Sequence, residues 1–270
     1  MAKAGFYVIA GARSFAACPG RGEDGIFRIP LDVTDQESIH SFVKQALAVS
    51  PRVDVLVNCA AILVLGPCEE TSLDEYTSVL KTNFLGAVSM IQAALPVMRK
   101  QHSGKIINFS SLNGLFAVPF QSAYTASKHA LEGYSECLAM ETAPYGIQVC
   151  LVEPGDHRNG STLYRLHAQA QMPGSPYEVD FHQGISVIAR DENGGSDPEK
   201  LGRKIARLAQ RRRMPLRRKV TKPLEYFTYL LHLFLPGRFF LSVLSMYYHV
   251  GKGDTAHEHE EEKESHLRTQ

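Results

Sequence analysis

The sequence predicts an α/β fold, a mostly parallel β-sheet with helices on both faces. Three observations predict it. Short apolar runs rich in β-formers alternate with longer stretches of helical periodicity. The runs are nearly continuous in apolar residues, as for strands buried on both faces. Their carboxyl ends carry Arg13, Asp32, Asn58, Ser110-Ser111 and Pro154-Gly155, and ligands bind beyond the carboxyl ends of such strands.

Taken in order, Phe6–Ala12 is the first strand, and 20–25 form a loop. Ile26–Leu31 is the second strand, ended by Asp32-Val33-Thr34-Asp35. Thr34 or Asp35 caps a helix through Ala48, with Ile39, Phe42, Val43 and Leu47 at helical spacing. Asp54–Asn58 is the third strand, and Ser72 or Asp74 starts a helical region reaching Lys100. Lys105–Phe109 is the fourth strand. Ser122–Ala143 is helical and stops at Tyr145-Gly146, and Gln148–Val152 is the fifth strand. The pattern then loosens. Ser161–Met172 reads as a helix, Pro173–Pro198 mostly as loop, Pro198–Arg213 as a helix and Arg217–Thr221 as a last strand. Pro223–Tyr248 holds two apolar helices broken at Pro236-Gly237. The organisation expected is a sheet domain over 1–222, an apolar helical extension over 223–250 and a disordered polar tail over 251–270.

Composition narrows the function classes. With 270 residues, 44% of them hydrophobic, the chain can bury a core of ordinary size. A net charge of +1 gives no general attraction to nucleic acid or anionic lipid. Five cysteines, at 18, 59, 68, 137 and 150, form no C-x-x-C pair, which suits reduced thiols in a cytoplasmic protein. Lys3 followed by Ala10–Ala12 has some features of a signal peptide, but the apolar run is short and Arg13 closes it, so a strand is the better reading. No segment has the length and purity of a membrane span. His257, His259 and His266 lie among glutamates in a solvated tail, and no metal site is expected.

Tyr124-Thr-Ala-Ser-Lys128 has the form Y-x-x-x-K. Residues four apart share a helix face, so Lys128 can hold its ammonium near the Tyr124 phenol. A nearby cation favours the phenolate and lowers its pKa, which would make Tyr124 a general acid/base near neutral pH. Ser111, ending the preceding strand, can hydrogen-bond a substrate oxygen and steady developing charge. Y-x-x-x-K alone arises often by chance on amphipathic helices. Here a strand, a terminal serine, a connecting loop and then the helix bearing the pair supply the context.

Asn58-Cys-Ala-Ala61, Asn83, Ser110-Ser111, Tyr124-Thr-Ala-Ser-Lys128 and Pro154-Gly155, in this order and register, resemble the ordered motifs of the short-chain dehydrogenase/reductases. The likeness runs from about residue 5 to about 220, and the apolar extension points to the steroid and retinol dehydrogenase-like branch. It implies a Rossmann-like doubly wound sheet and hydride transfer between a nicotinamide and a carbonyl or alcohol. It implies Tyr124 as proton donor or acceptor, Lys128 on the nicotinamide ribose, Ser111 orienting substrate, and Asn83 holding a proton-relay water. A second reading of Asn83 is a polar side chain satisfying helix backbone. Arg13 follows the strand where the family reads the ribose 2′ position. A cation there, with no acidic residue, favours NADP(H) over NAD(H). Asp32 would contact adenine or cap a helix. Asn58 and Ala60 would line the cofactor. Pro154, Gly155 and Asn159 would face the nicotinamide, Asn159 standing where the family has Thr. A homo-oligomer is expected.

The family opens with a strand and a Gly-rich turn that cradles pyrophosphate at a helix N-terminus. Ala2-Lys3-Ala4-Gly5 instead resembles the exit of that first helix, so the chain is expected to lack the first strand and turn, as a truncated form or an incorrectly started product. Gly20-Arg-Gly22-Glu-Asp-Gly25 fits the G-x-G-x-x-G spelling, but it precedes a strand rather than following one. Residues 160–195 should cover the substrate, with Leu163, Tyr164, Leu166, Met172, Tyr177 and Phe181 offering a lipophilic lining. The expected function is an oxidoreductase acting on a lipophilic ketone, aldehyde or alcohol in lipid metabolism. The alternatives are a catalytically impaired or regulatory member, and a membrane-surface lipid-binding protein. Peripheral membrane contact through 211–250 would rest on Arg211–Arg213 and Arg217–Lys219 beside the Phe-, Leu- and Tyr-rich extension. Packing of those helices on the core or on a second subunit is the competing reading.

Overall fold

A computed structural model describes residues 1–158, 165–168 and 174–251. Its strands are β1 (Ile9–Ala12), β2 (Gly20–Arg21), β3 (Phe27–Pro30), β4 (Val55–Asn58), β5 (Leu63–Leu65), β6 (Gly104–Phe109), β7 (Ile147–Pro154), β8 (Arg165–His167) and β9 (Arg217–Val220). Its helices are α1 (Gln36–Val49), α2 (Leu73–Leu80), α3 (Gly86–Gln101), α4 (Ser122–Thr142), α5 (Glu178–Asn193), α6 (Pro198–Gln210), α7 (Pro223–Phe234) and α8 (Gly237–Tyr247). The α/β class with a parallel sheet is as the sequence predicts. β4-β6-β7-β9 form one parallel sheet, and β1 pairs with β3 in parallel. β1 and β4 share no ladder. Leu56 of β4 nevertheless packs into the cluster of Ile29, Ile39 and Phe42, so the two sheets share a core.

Local chemistry explains the boundaries. Asp35 caps α1 by accepting from the Glu37 N–H at 3.0 Å. Ser72 and Glu75 form a reciprocal capping box at the start of α2. The long helical region expected from 72 to 100 is interrupted by a π-helical turn, Lys81–Leu85, between α2 and α3. The glycine-rich match at 20–25 lies in β2 and a turn, where Gly25 N–H bonds to the Gly22 carbonyl, and it opens no helix.

Three expectations are corrected. Residues 173–198 are not mostly loop, because α5 occupies most of them. Its Phe181, Gly184 and Ile188 are buried on one face, a period obscured in the sequence by Gly184 and Gly194-Gly195. The helix expected over 161–172 is strand at Arg165–His167, paired in parallel with β5 and followed by buried Ala168, and the rest of that span lies outside the described residues. Arg217 and Lys219 are not free surface charges. Arg217 Nη1 bonds Glu153 at 2.7 Å and also reaches Glu132, while its Nη2 bonds Glu136 at 2.7 Å. Lys219 Nζ lies 3.0 Å from Glu153, whose side chain has no solvent exposure.

The hairpin of α7 and α8 packs on the body through Phe240 and Leu244, against Leu112, Phe116, Val118 and Ile188. No helix among the described residues is long and apolar enough to cross a membrane. The tail beyond 251 lies outside the described residues.

Removing one partner of a buried ion pair leaves an uncompensated charge. Arg217→Met is therefore expected to lower unfolding free energy by about 3 kcal/mol, the low end because Lys219 still faces Glu153. Urea titration of both proteins measures it, and an unchanged midpoint would contradict the burial assigned to Glu153.

Candidate active site

The expected catalytic residues converge at the carboxyl end of β6. Ser111 follows the strand and begins a short 3-10 turn, Leu112–Gly114, where its hydroxyl accepts from the Asn113 N–H at 3.2 Å. The chain then returns through Phe120, whose backbone is left-handed at φ 63°. A bulky residue rarely adopts that conformation. Packing of the Phe120 ring edge-on to Phe181, 5.3 Å between centroids, holds it there. Helix α4 starts two residues later and brings Tyr124 back beside Ser111, both side chains lining one cavity.

Lys128 lies one turn along α4 and is buried. Its ammonium donates to the Phe109 carbonyl at 2.8 Å and stands 5.3 Å from the centre of the Tyr124 ring. Burial pushes its pKa down to about 8, while Cys59 and Glu132 act in the other direction. The effect on Tyr124 departs from the expectation. Burial pushes the phenol up to about 12, the Ser111 hydrogen bond opposes this, and the carboxylates of Glu192 and Asp156 add to it. Lys128 is directed at a carbonyl rather than at the phenol oxygen, so desolvation prevails and Tyr124 holds its proton.

Asn83 sits in the π-helical turn, a feature frequent at functional sites. It is buried, and its amide clamps the backbone of Ile62, accepting from the N–H at 2.8 Å and donating to the carbonyl at 2.9 Å. Its second N–H donates to Ser127 at 3.0 Å. The side chain thus joins α4 to the segment after β4. These contacts are to the non-helical backbone at Ile62 and to a side chain of α4, not to the backbone of its own helix. Asn58 ends β4 and donates to Asn108 at 2.9 Å, which donates on to Ser135 of α4 at 2.8 Å.

The expected cofactor residues share this edge. Arg13 is exposed at the end of β1 and acts electrostatically on Asp32. Asp32 accepts from the Thr34 N–H at 2.9 Å and hydroxyl at 2.7 Å, bonds that hold its carboxyl below the usual range. It shapes the turn before α1, and Asp35 is the cap. Ala60 is exposed beyond β4. Pro154 and Gly155 border the cavity described below. Asn159 lies outside the described residues.

Ser111 and Tyr124 open onto a cavity of about 570 Å³. Its apolar wall differs from the expected one. Leu112, Phe116, Val118 and Ile188 form one side, and the α7–α8 hairpin forms the other. Phe181 instead packs in the core on Phe120, Leu63 and Leu65. Tyr177 bonds Glu69, and Leu166 is largely exposed on β8. Leu163, Tyr164 and Met172 lie outside the described residues. Sequence reasoning missed Asp156, whose signal was a carboxylate directly after Pro154-Gly155. Glu225 of α7 accepts from the Asp156 N–H at 3.1 Å, and a Cβ at Gly155 would strike the Glu225 carboxylate, so that contact requires glycine. A hydroxyl and a phenol side by side at a cavity wall can receive a carbonyl oxygen and protonate it.

Known proteins resemble this chain in sequence and fold. A family model described as short chain dehydrogenase matches residues 1–163. A 3-ketodihydrosphingosine reductase of Bacteroides thetaiotaomicron is 40% identical over 190 residues, 70% of this chain and 71% of that protein. Retinol dehydrogenase 8 of Bos taurus is 35% identical over 196 residues, 70% of this chain and 62% of that protein. The crystal structure of a short-chain dehydrogenase from Streptomyces avermitilis superposes with a TM-score of 0.71 at 33% identity, over 86% of this chain and 85% of that one. An alcohol dehydrogenase from Thermococcus sibiricus, complexed with 5-hydroxy-NADP, shares the fold at a TM-score of 0.62 and 21% identity, over 82% of this chain and 88% of that one.

Burial, then Glu225, Asp191 and Glu192, push the Asp156 carboxyl from 3.8 up to about 7. Between those values the folded chain binds more protons than the unfolded one, so this group's contribution falls as pH rises through that window. The wild type is expected to lose stability relative to Asp156→Asn from pH 4 to pH 7, read from urea midpoints. Parallel pH profiles for the two proteins would contradict it.

Proposed function

We propose the following reading on one premise: this chain belongs to the short-chain dehydrogenase family. It is an oxidoreductase that interconverts a lipophilic ketone or aldehyde and its alcohol, with NADP(H) as the preferred cofactor. The observation that carries the reading is the meeting of Ser111 and Tyr124, backed by Lys128, at the wall of a cavity with an apolar side.

The donor set suits a nicotinamide dinucleotide at both ends. Lys128, with two N–H bonds beyond the one to Phe109, and Tyr124 suit the nicotinamide ribose. Arg13 makes no hydrogen bond or ion pair among the described residues, and a guanidinium at a strand end suits a 2′-phosphate. Asp32 would meet the adenosine, Asn58 and Ala60 would line the path between the ends, and Pro154 and Gly155 would border the nicotinamide. A bound reduced nicotinamide supplies the hydride. Ser111 donates to the substrate oxygen and fixes its direction. Tyr124, protonated at rest, gives its proton to that oxygen as negative charge develops. Asn83 acts as a positioning residue, fixing the segment at Ile62 and the start of α4 together.

The apolar wall supports a lipophilic substrate, and so do two relatives named for 3-ketodihydrosphingosine and for retinol.

Loss of a positioned acid costs roughly 10²–10⁴-fold in rate. Tyr124→Phe is expected to abolish most ketone-dependent NADPH oxidation while leaving the circular dichroism spectrum unchanged. A fully active variant would overturn the assignment. Arg13→Asp is expected to raise the KM for NADPH about tenfold and to leave that for NADH unchanged or lower. Equal effects on both cofactors would remove Arg13 from the 2′ position.

A further inference from the structure

We infer that the outer face of the α7–α8 hairpin lies on a lipid bilayer surface and that the cavity mouth opens onto that surface. Each helix carries two faces. Leu224, Phe227, Thr228 and Leu231 of α7 border the cavity, as do Phe240, Val243, Leu244 and Tyr247 of α8. Both sets follow the three-and-four spacing of one helix stripe. Outside these sets are large apolar side chains in water that do not border the cavity: Phe234 is 81% exposed, Met246 71%, Phe239 58% and Leu233 54%. Such a patch marks an interaction surface.

Three features favour lipid over a protein partner. From Tyr226 to Val250 the sequence contains one Lys, Arg, Asp or Glu residue, Arg238, exposed at the turn between the helices. A single cation at the tip of an apolar hairpin complements lipid phosphates. The exposed hydroxyl of Ser242 donates back to the Arg238 carbonyl at 3.0 Å, and Thr228 donates to the Leu224 carbonyl at 3.1 Å. Polar groups satisfied within their own helix suit an apolar phase, whereas a protein interface has polar groups bonding across it. Finally, Leu224 and Phe227 border the cavity and are themselves 67% and 54% exposed, so on this side the apolar wall continues onto the outer face. A lipophilic substrate could then pass from bilayer to cavity without crossing water.

The contact is narrower than residues 211–250. The Arg211 and Arg212 carbonyls accept from Lys105 and Gln148, at the amino ends of β6 and β7, whereas the cavity lies at their carboxyl ends. Arg217 and Lys219 are held by carboxylates. At 12 and 11 residues, α7 and α8 are too short to span a bilayer and suit its interface.

The passage of substrate rests on the carbonyl-reductase reading, whereas the vesicle contact does not. The test uses the full chain, phosphatidylcholine vesicles with and without phosphatidylserine, and the double variant Phe234→Glu/Phe239→Glu. Neither phenylalanine borders the cavity. The wild type is expected to sediment with vesicles. The double variant should bind about tenfold or more weakly and keep its rate on a short, water-soluble ketone, while losing most of its rate on a ketone held in vesicles. Arg238→Ala should weaken binding about fivefold, and only where phosphatidylserine is present. Absence of vesicle binding by a wild type that reduces the soluble ketone would overturn this inference alone. So would a dimer, seen by light scattering, that the double variant dissociates. Vesicle binding without any ketone reduction would instead overturn the proposed activity.

Discussion

A carboxylate shut away from water sets the geometry on which the rest depends. Glu153 is the penultimate residue of β7 and is held by Arg217 and Lys219 of β9. Arg217 extends the same guanidinium to Glu132 and Glu136 of α4. Tyr124, Lys128, Glu132 and Glu136 are spaced by four residues, so they form one stripe down α4. The acidic half of that stripe is tied to the sheet through Arg217, and this fixes the register at which the other half meets Ser111 and the end of β6. Fold and site therefore share one ionic knot. Ions in a buried network are costly unless each is matched, and the matching specifies a single placement for α4.

The same burial determines the state of the reacting groups. The phenol of Tyr124 stays protonated because desolvation outweighs the stabilisation that Ser111 offers its anion. The ammonium of Lys128 is weakened by the same surroundings and anchored by the Phe109 carbonyl. A protonated phenol suits the reductive direction, where the oxygen of the substrate must gain a proton. Asn83, Asn58 and Asn108 stiffen the surroundings by tying α4 to the strand ends. On the far side of the cavity, Glu225 and Gly155 bring the hairpin against the end of β7, so that wall of the cavity is attached to the strand that carries Glu153.

Much of this was legible in the sequence, because strands buried on both faces and amphipathic helices leave strong local periods. Ser111, Tyr124 and Lys128 were readable as a set because strand, loop and helix follow one another directly. The break at Pro236-Gly237 announced the hairpin. What escaped was non-local. The pairing of β5 with β8 joins three-residue strands about a hundred residues apart, too short for any period. Helix α5 was hidden by its glycines, one of which packs against Phe120. Arg217 and Lys219 read as surface charges because the carboxylates that draw them inward lie on other elements. Phe181 read as substrate lining, although Phe120 claims it for the core.

The central claim is that burial governs Tyr124, and its ionisation tests this most directly. An ultraviolet difference titration of wild type against Tyr124→Phe isolates this phenol. Free tyrosine is half ionised at a pH of about 10. A phenol pushed up to about 12 shows no phenolate absorbance at that pH. Phenolate absorbance from Tyr124 already at neutral pH would contradict it, and would show that the Lys128 charge, rather than desolvation, sets the chemistry of the site.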